Sequence, residues 1–254
     1  GFIGSEIAAA LAMNGKEVVM IFPEAGIGSR LFPTDLTRFL NDYYREHGVE
    51  VLAHSTVTDV VMRGTRFAVK TQDNAAATMR EIEVDGIVAG IGAQPNVDLA
   101  LAAGLAVDNG IVVDPFLRTS HPDVYAAGDV AAYWQSALGQ RRRVEHEDNA
   151  TTMGHLAGRA MAGEPAPYEH LPFFYSDMFD LGYEAVGDID SRCEVVADWE
   201  EPYRAGVLTY RGEGRVRGVL LWNVWDQLDA ARALIADPDS IDSRQMTAEI
   251  VGVR

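Results

Sequence analysis

The chain opens on Gly1-Phe2-Ile3-Gly4-Ser5-Glu6, continues through an alanine-rich helical stretch from Ile7 to Met13, stops at Gly15 and resumes as the apolar strand Val18 to Phe22. Few folds accept that order. It matches the second half of a βαβ dinucleotide unit, entered in the middle of its glycine-rich turn. In a complete turn one glycine lets the backbone approach a pyrophosphate, the next lets helix and strand pack closely, and the helix N-terminus stabilises the anion. Gly1 and Gly4 fit these two roles. The expectation is a piece of a longer protein, with the first strand and first glycine of this unit ahead of residue 1.

Glu24 stands 20 residues past Gly4 and just beyond the strand, where an acidic residue can accept hydrogen bonds from an adenosine ribose. The competing reading is a solvated loop carboxylate. An α/β pattern follows. Leu36, Phe39, Leu40 and Tyr43 recur at helical spacing within Thr34 to His47, Gly48 ends that helix, and Val49 to Leu52 reads as a strand. Val57 to Met62, Phe67 to Thr71 and Ile82 to Val84 read as a β-meander with a polar turn at Gln72 to Ala77. Ile87 to Gly92 reads as a buried strand ending in glycine, and Gln94-Pro95-Asn96 then breaks the chain, predicting a domain crossing near residue 93.

Charge and cysteine usage narrow the function. Lys plus Arg total 21 against 38 Asp plus Glu, a formal net charge of −17; such a surface repels phosphate backbones and anionic headgroups, so neither nucleic acid nor membrane surface is expected as a partner. Cys193 is the one cysteine, which leaves no redox-active pair and no Cys-only zinc site within these residues. The six histidines lack close ligand spacing, so no metal is expected. No Gly-x-Ser-x-Gly elbow occurs. No apolar run reaches the roughly 18 residues of a membrane span, and a soluble, cytoplasmic protein is expected.

Further on, the apolar run Val124-Tyr125-Ala126-Ala127 leads into Gly128-Asp129, setting a carboxylate at a change of chain direction beside a glycine that permits close ligand approach. Together with the Gly1 to Glu6 start and the Gly90-Ile91-Gly92 strand end, this segment resembles the two-dinucleotide-binding-domain flavoprotein reductases. Arg141-Arg142-Arg143-Val144-Glu145-His146, Tyr168, Tyr175-Ser176-Asp177, Gly182 to Gly187, Gly218 to Asn223 and the Ala231-Arg232 helix resemble the apoptosis-inducing factor branch of that group. The resemblance spans essentially the whole chain.

The resemblance implies an α/β, Rossmann-like two-dinucleotide-binding-domain flavoprotein, with the N-terminal FAD half missing and a C-terminal α+β domain. Residues 1–92 would form the NADH-binding domain, 93–172 the returning half of a split FAD-binding domain, and 173–254 the C-terminal domain. It places Phe2, Ile3 and Glu6 on the nicotinamide side, Glu24 at the adenosine ribose and Gly92 in the nicotinamide pocket, with Gly1 and Gly4 in the glycine turn. Gly128 and Asp129 would meet the flavin ribityl chain, Glu145 and His146 would lie near the isoalloxazine, and Tyr175 and Glu184 near the nicotinamide. Tyr175 stands where the animal proteins carry tryptophan.

On the residues alone, other roles stay open. Glu6 on a first helical turn interacts favourably with the helix dipole without touching any cofactor. His146 is also a helix-start residue, Glu145 a partner of Arg141 to Arg143, that run a solvated basic turn, and Tyr175 and Trp222 core or interface. Hydride transfer needs two rings stacked in a dry pocket, so aromatics and glycines matter more than acids or bases and no catalytic acid or base is assigned. The activity implied is an FAD-dependent NADH oxidoreductase, preferring NADH, that passes electrons to an unidentified acceptor, with a homodimer as one assembly. Two further readings are a reductase component for a ferredoxin or rubredoxin and an NADH-sensing redox scaffold with slow turnover.

Overall fold

The computed structural model describes residues 1–237. Helix α1 (Phe2–Met13) precedes strand β1 (Val18–Ile21), helix α2 (Thr34–Glu46) and strand β2 (Val49–Leu52), and β1 and β2 pair in parallel with Val18 opposite Val49 and Ile21 opposite Leu52. A parallel pair needs a crossover, and α2 supplies it. Its inward stripe of Leu36, Leu40, Tyr43 and Tyr44 is buried, and the Tyr44 hydroxyl donates to the carbonyl of Ser5 at 2.9 Å, fastening α2 to α1. The first helix starts at Phe2, earlier than the Ile7 read from the alanines, with Gly1 as N-cap. Glu6 therefore lies beyond the first turn, where the dipole attraction has largely fallen away.

Strands β3 (Ser55–Arg63), β4 (Arg66–Asp73) and β5 (Met79–Val84) form the expected antiparallel meander, with Val60 opposite Val69 and Val69 opposite Ile82. The face carrying Asp59, Lys70, Arg63 and Glu81 is ion-paired, at 2.9 Å and 2.6 Å. The expected buried strand at Ile87 to Gly92 is not one. The segment makes no ladder, and Ile91 is 93% exposed. A strand is a pairing with a neighbour, and among the described residues no edge pairs with these backbone groups. Gly90 nevertheless passes close to α1, since a Cβ there would lie 3.1 Å from the backbone nitrogen of Gly4.

After the short helix α3 (Asp98–Ala102), strand β6 (Ile111–Val112) pairs in parallel with β7 (Ala131–Gln135), which pairs antiparallel with β8 (Gln140–Arg142). Helix α4 (Glu147–Met161) buries Met153 and Ala157 with Leu117, Tyr133 and Tyr168. The remaining strands are β9 (Phe173–Met178), β10 (Leu181–Gly187), β11 (Glu194–Glu201), β12 (Ala205–Gly212) and β13 (Arg215–Trp222), followed by α5 (Leu228–Ala236). They form one antiparallel sheet in the order β11-β12-β13-β10-β9, which leaves β9 as an edge.

Side-chain alternation gives this sheet two working faces. Tyr183, Ala185, Leu208, Leu220 and Trp222 join the core of α1, α2 and Phe32, while Val186, Val207, Val219 and Leu221 pack on Ala231, Leu234 and Ile235 of α5. The sheet is thus a wall shared with the first βαβ unit. Residues 238–254, the end of the expected C-terminal domain, lie outside the described residues. Among the described residues no helix is long and apolar enough to cross a membrane.

Candidate functional site

The start of α1 carries Gly1 as its N-cap and Gly4 in its first turn. A Cβ placed on Gly1, Gly4 or Gly92 would meet nothing within 4 Å, and Gly92 has φ +98. Glu24 lies in the loop that follows β1. That loop is held from several sides. The Asn41 amide donates to the carbonyl of Ala25 at 3.1 Å and accepts from the N–H of Ile27 at 3.0 Å. Gly28 has φ +69, and a Cβ there would strike the Phe32 ring. Phe32 is 2% exposed and meets Tyr183 and Trp222 edge-on at 5.4 Å and 5.6 Å. Arg30 folds back, and its guanidinium pairs with the Glu24 carboxylate. Arg30 is the first cation after Glu24 in the sequence.

A second group gathers around the edge strand β9. Phe2 packs 5.2 Å from Phe174 and 6.3 Å from Tyr183 on one face. On the other face Tyr175 stands directly opposite Glu184, and the His146 ring lies edge-on to Tyr175 at 5.5 Å and 5.5 Å from Phe173. Tyr175 is 49% exposed, so it is not core, whereas Trp222 is fully buried. Among the described residues, Oε2 of Glu184 is buried without a hydrogen-bond partner. Burial, and then the charge of Asp226, raises this carboxyl above its ordinary range, against the opposing pull of Arg232. Ile3 is exposed, and Glu6 lies close enough to Tyr183 and Tyr44 to act on both phenols.

The third group centres on Gly128 and Asp129. Gly128 has φ +75 and sits against α4, where a Cβ would lie 3.2 Å from that of Ala150. The Asp129 side is exposed. Arg143 donates to the Asp129 carbonyl at 3.0 Å and to the Glu145 carboxylate at 2.5 Å, with its side chain only 11% exposed. The solvated basic turn expected at Arg141 to Arg143 is therefore corrected. Arg141 donates to the carbonyl of Ala132 at 2.8 Å and Arg142 pairs with Asp188 at 2.6 Å, because burying a guanidinium requires acceptors. Three consecutive arginines gave no sign of which was buried.

His146 caps α4, its Nδ1 accepting from the N–H of Asp148 at 3.3 Å. Its helix-start role is realised alongside its place beside Tyr175. Asp148, which sequence reasoning did not single out, holds β9 in turn: its Oδ2 lies 2.6 Å from His170 Nε2 and accepts from the N–H of Phe173 at 3.2 Å.

These arrangements fit a dinucleotide and a flavin. Gly1 and Gly4 stand at the helix start where a dinucleotide pyrophosphate binds backbone N–H groups, the Glu184 Oε2 is a buried acceptor without a partner among the described residues, and aromatic rings line both faces of β9. A separate cleft lined by Arg142, Asp188, Arg192, Cys193 and Arg217 contains none of the predicted site residues. Its charges close on one another, Asp188 meeting Arg142 at 2.6 Å and Arg217 at 2.7 Å.

Comparison with known proteins gives the same picture. The family described as pyridine nucleotide-disulphide oxidoreductase matches residues 1–154, and the family described as apoptosis-inducing factor, mitochondrion-associated, C-term matches residues 157–202. The chain is similar to apoptosis-inducing factor 1, mitochondrial, of Dictyostelium discoideum, 35% identical over 95% of this chain and 48% of the relative. It is also similar to monodehydroascorbate reductase 3 of Arabidopsis thaliana, 37% identical over 74% of this chain and 43% of the relative. The chain thus spans about half the length of these relatives. Among solved structures, the ferredoxin reductase for the CYP199A2 system from Rhodopseudomonas palustris superposes with a TM-score of 0.81 at 27% identity, covering 98% of this chain and 63% of that one. Its likeness supports the Rossmann-like flavoprotein fold with a C-terminal domain. With well over half of its residues matched by one family, the chain belongs to the pyridine nucleotide-disulphide oxidoreductases and ends in a segment like that of apoptosis-inducing factor.

Proposed function

We propose that this chain carries the NADH side and part of the flavin side of an FAD-dependent NADH oxidoreductase. Residues 1–92 hold NADH, 93–172 form the returning half of the FAD-binding domain, and 173–254 form the C-terminal domain. The observation that carries this reading is the meeting at β9, where Tyr175 stands between Glu184 and His146, residues that are distant in sequence. FAD, when bound, accepts a hydride from NADH and returns electrons to an acceptor. The protein's part is to hold two rings in contact and keep water out. Gly1, Gly4 and the start of α1 take the pyrophosphate of NADH and Glu24 its adenosine ribose. Ile3, Glu6, Gly92, Tyr175 and Glu184 border the nicotinamide, with Phe2 packed against Phe174 on the opposite face of β9. Gly128 and Asp129 meet the ribityl chain, and Glu145 and His146 the isoalloxazine edge.

Anaerobic mixing of the flavin-loaded protein with NADH tests this directly. The oxidised-flavin absorbance should bleach within seconds; a spectrum that stays oxidised would sink the assignment. The physiological acceptor is not identified. The ferredoxin reductase from Rhodopseudomonas palustris supports a ferredoxin, while a net charge of −17 slows encounter with an acidic acceptor. Steady-state turnover with a generic acceptor separates an enzyme from a slow sensor. We place the protein in the cytoplasm, to be tested by fractionation.

Arg30 modifies the expected cofactor preference. Glu24 accepts from the ribose hydroxyls of NADH and repels the extra phosphate of NADPH, but its pairing with Arg30 offsets part of that repulsion. Arg30→Ala should widen the NADH over NADPH ratio of kcat/KM by about fivefold, on the order of 1 kcal/mol, and Glu24→Ala should narrow it. Equal ratios in wild type and both variants would remove Glu24 from the ribose.

A further inference from the structure

The loop that carries Glu24 and Arg30 is fastened from outside its own βαβ unit. Within the loop, the N–H groups of Leu31 and Phe32 both donate to the carbonyl of Gly28 at 2.8 Å, closing a tight turn. The carbonyls of the two residues inside that turn are taken by one residue of the C-terminal sheet's turn between β10 and β11. Ser191 donates its N–H to the carbonyl of Arg30 at 3.0 Å and its hydroxyl to the carbonyl of Ser29 at 2.7 Å.

The platform that presents Ser191 is itself stiff. The N–H of Asp188 donates to the carbonyl of Arg217 at 2.8 Å, and the Asp188 carboxylate accepts from Gln140 and Arg217, each at 2.7 Å. Asp190 accepts from the N–H of Arg192 at 2.9 Å, and its carbonyl from the N–H of Cys193 at 2.9 Å. Two hydrogen bonds from one residue to adjacent carbonyls fix both the place and the tilt of the peptide bearing Arg30. That peptide carries Arg30, whose 83%-exposed side chain reaches back to pair with Glu24.

We propose that Ser191 is a positioning residue for the dinucleotide. It latches the Ser29–Arg30 peptide to the C-terminal sheet, so that the Glu24–Arg30 pair is already aimed at the adenosine ribose before NADH arrives. This rests on the assignment of Glu24 to the ribose made above. A loop ordered in advance spares the cofactor the entropic cost of ordering it. Ser191 touches no reacting atom, so its effect falls on binding and not on hydride transfer.

Ser191→Ala keeps the N–H bond and deletes the hydroxyl bond on a half-exposed turn, which leaves the core packing alone. In the oxidised, flavin-loaded protein, the Kd of NAD⁺ measured by calorimetric titration should rise about fivefold, the usual worth of one net hydrogen bond. The KM for NADH should rise with it, kcat should stay within about twofold, and flavin content should not change. Ser191→Thr, which restores a hydroxyl, should bring the Kd back to within about twofold of wild type. An unchanged Kd in Ser191→Ala, or a loss confined to kcat, overturns the proposal. Glu24→Ala measured alongside separates the two ideas: if it weakens NAD⁺ binding while Ser191→Ala does not, the latch fails and the ribose assignment stands. If neither variant weakens binding, both fail.

Discussion

Glu184→Ala should lower kcat/KM for NADH by about 10- to 100-fold while the protein remains folded. The reason is the solitary oxygen. Glu184 Oε2 is buried and has no hydrogen-bond partner among the described residues, and a buried acceptor left unmade is costly, while a hydrogen bond to a charged group contributes about 1.5–3 kcal/mol. An N–H from a bound carboxamide would satisfy it, and its cross-strand neighbour Tyr175 offers a ring edge beside it. The loss should appear when flavin reduction is followed in single-turnover mixing. A rate within twofold of wild type would show that the nicotinamide lies elsewhere.

The same carboxylate has a stability signature of opposite sign. Burial raises the Glu184 carboxyl, so the folded protein binds this proton more tightly than the unfolded chain does. The folded state is then favoured at low pH, and that advantage is lost as pH rises through the raised pKa. Glu184→Gln removes the charge without changing the shape. It should therefore melt at a higher temperature than wild type at neutral pH, and the difference should shrink as the solution is acidified towards the ordinary carboxylate range. A residue whose replacement raises stability and lowers hydride transfer is one retained for function.

Local patterns carried the proposal of a nucleotide end, because that chemistry rests on short spacings. Gly1, Gly4 and Glu24 match the spacing of a glycine turn and an acid about one helix and one strand apart; the strand between them forms where its apolar run puts it, while α1 starts ahead of the alanines, at Phe2. The flavin end was readable only through resemblance. His146, Tyr175 and Glu184 meet across a strand register that no local pattern reveals. The contacts that hold these residues were not readable at all. Arg143 spanning Asp129 and Glu145, Asp148 tying His146 to β9, and Ser191 reaching the loop after β1 each join segments whose spacing carries no signal. Ile87 to Gly92 failed for the converse reason. Its composition is that of a buried strand, yet strands are stabilised by a partner edge, and no described residue provides one there.

Gly187→Ala should be the most damaging single methyl group that can be added to the C-terminal sheet. Gly187 ends β10 with φ +83, a left-handed conformation that costs an L-residue about 1–2 kcal/mol. Its Cβ would also lie 2.3 Å from the carbonyl oxygen of Arg217, which accepts the N–H of Asp188 at 2.8 Å. That oxygen cannot retreat without breaking the bond that starts the Ser191 platform. The partner strand has no slack to give. Gly218 stands directly opposite Gly187, and a Cβ on Gly218 would itself lie 2.3 Å from the carbonyl oxygen of Asp188. Two glycines face each other because β10 and β13 approach too closely there for any side chain. Strain and overpacking together should remove about 3 kcal/mol or more, a fall in melting temperature of roughly 10 °C for a chain of this size. Gly154→Ala is the control. Gly154 lies inside α4, with nothing within 4 Å of an added Cβ, so the same substitution there should stabilise by about 0.5–1 kcal/mol. Equal and small effects at the two positions would mean that β10 and β13 are not pressed together at this point.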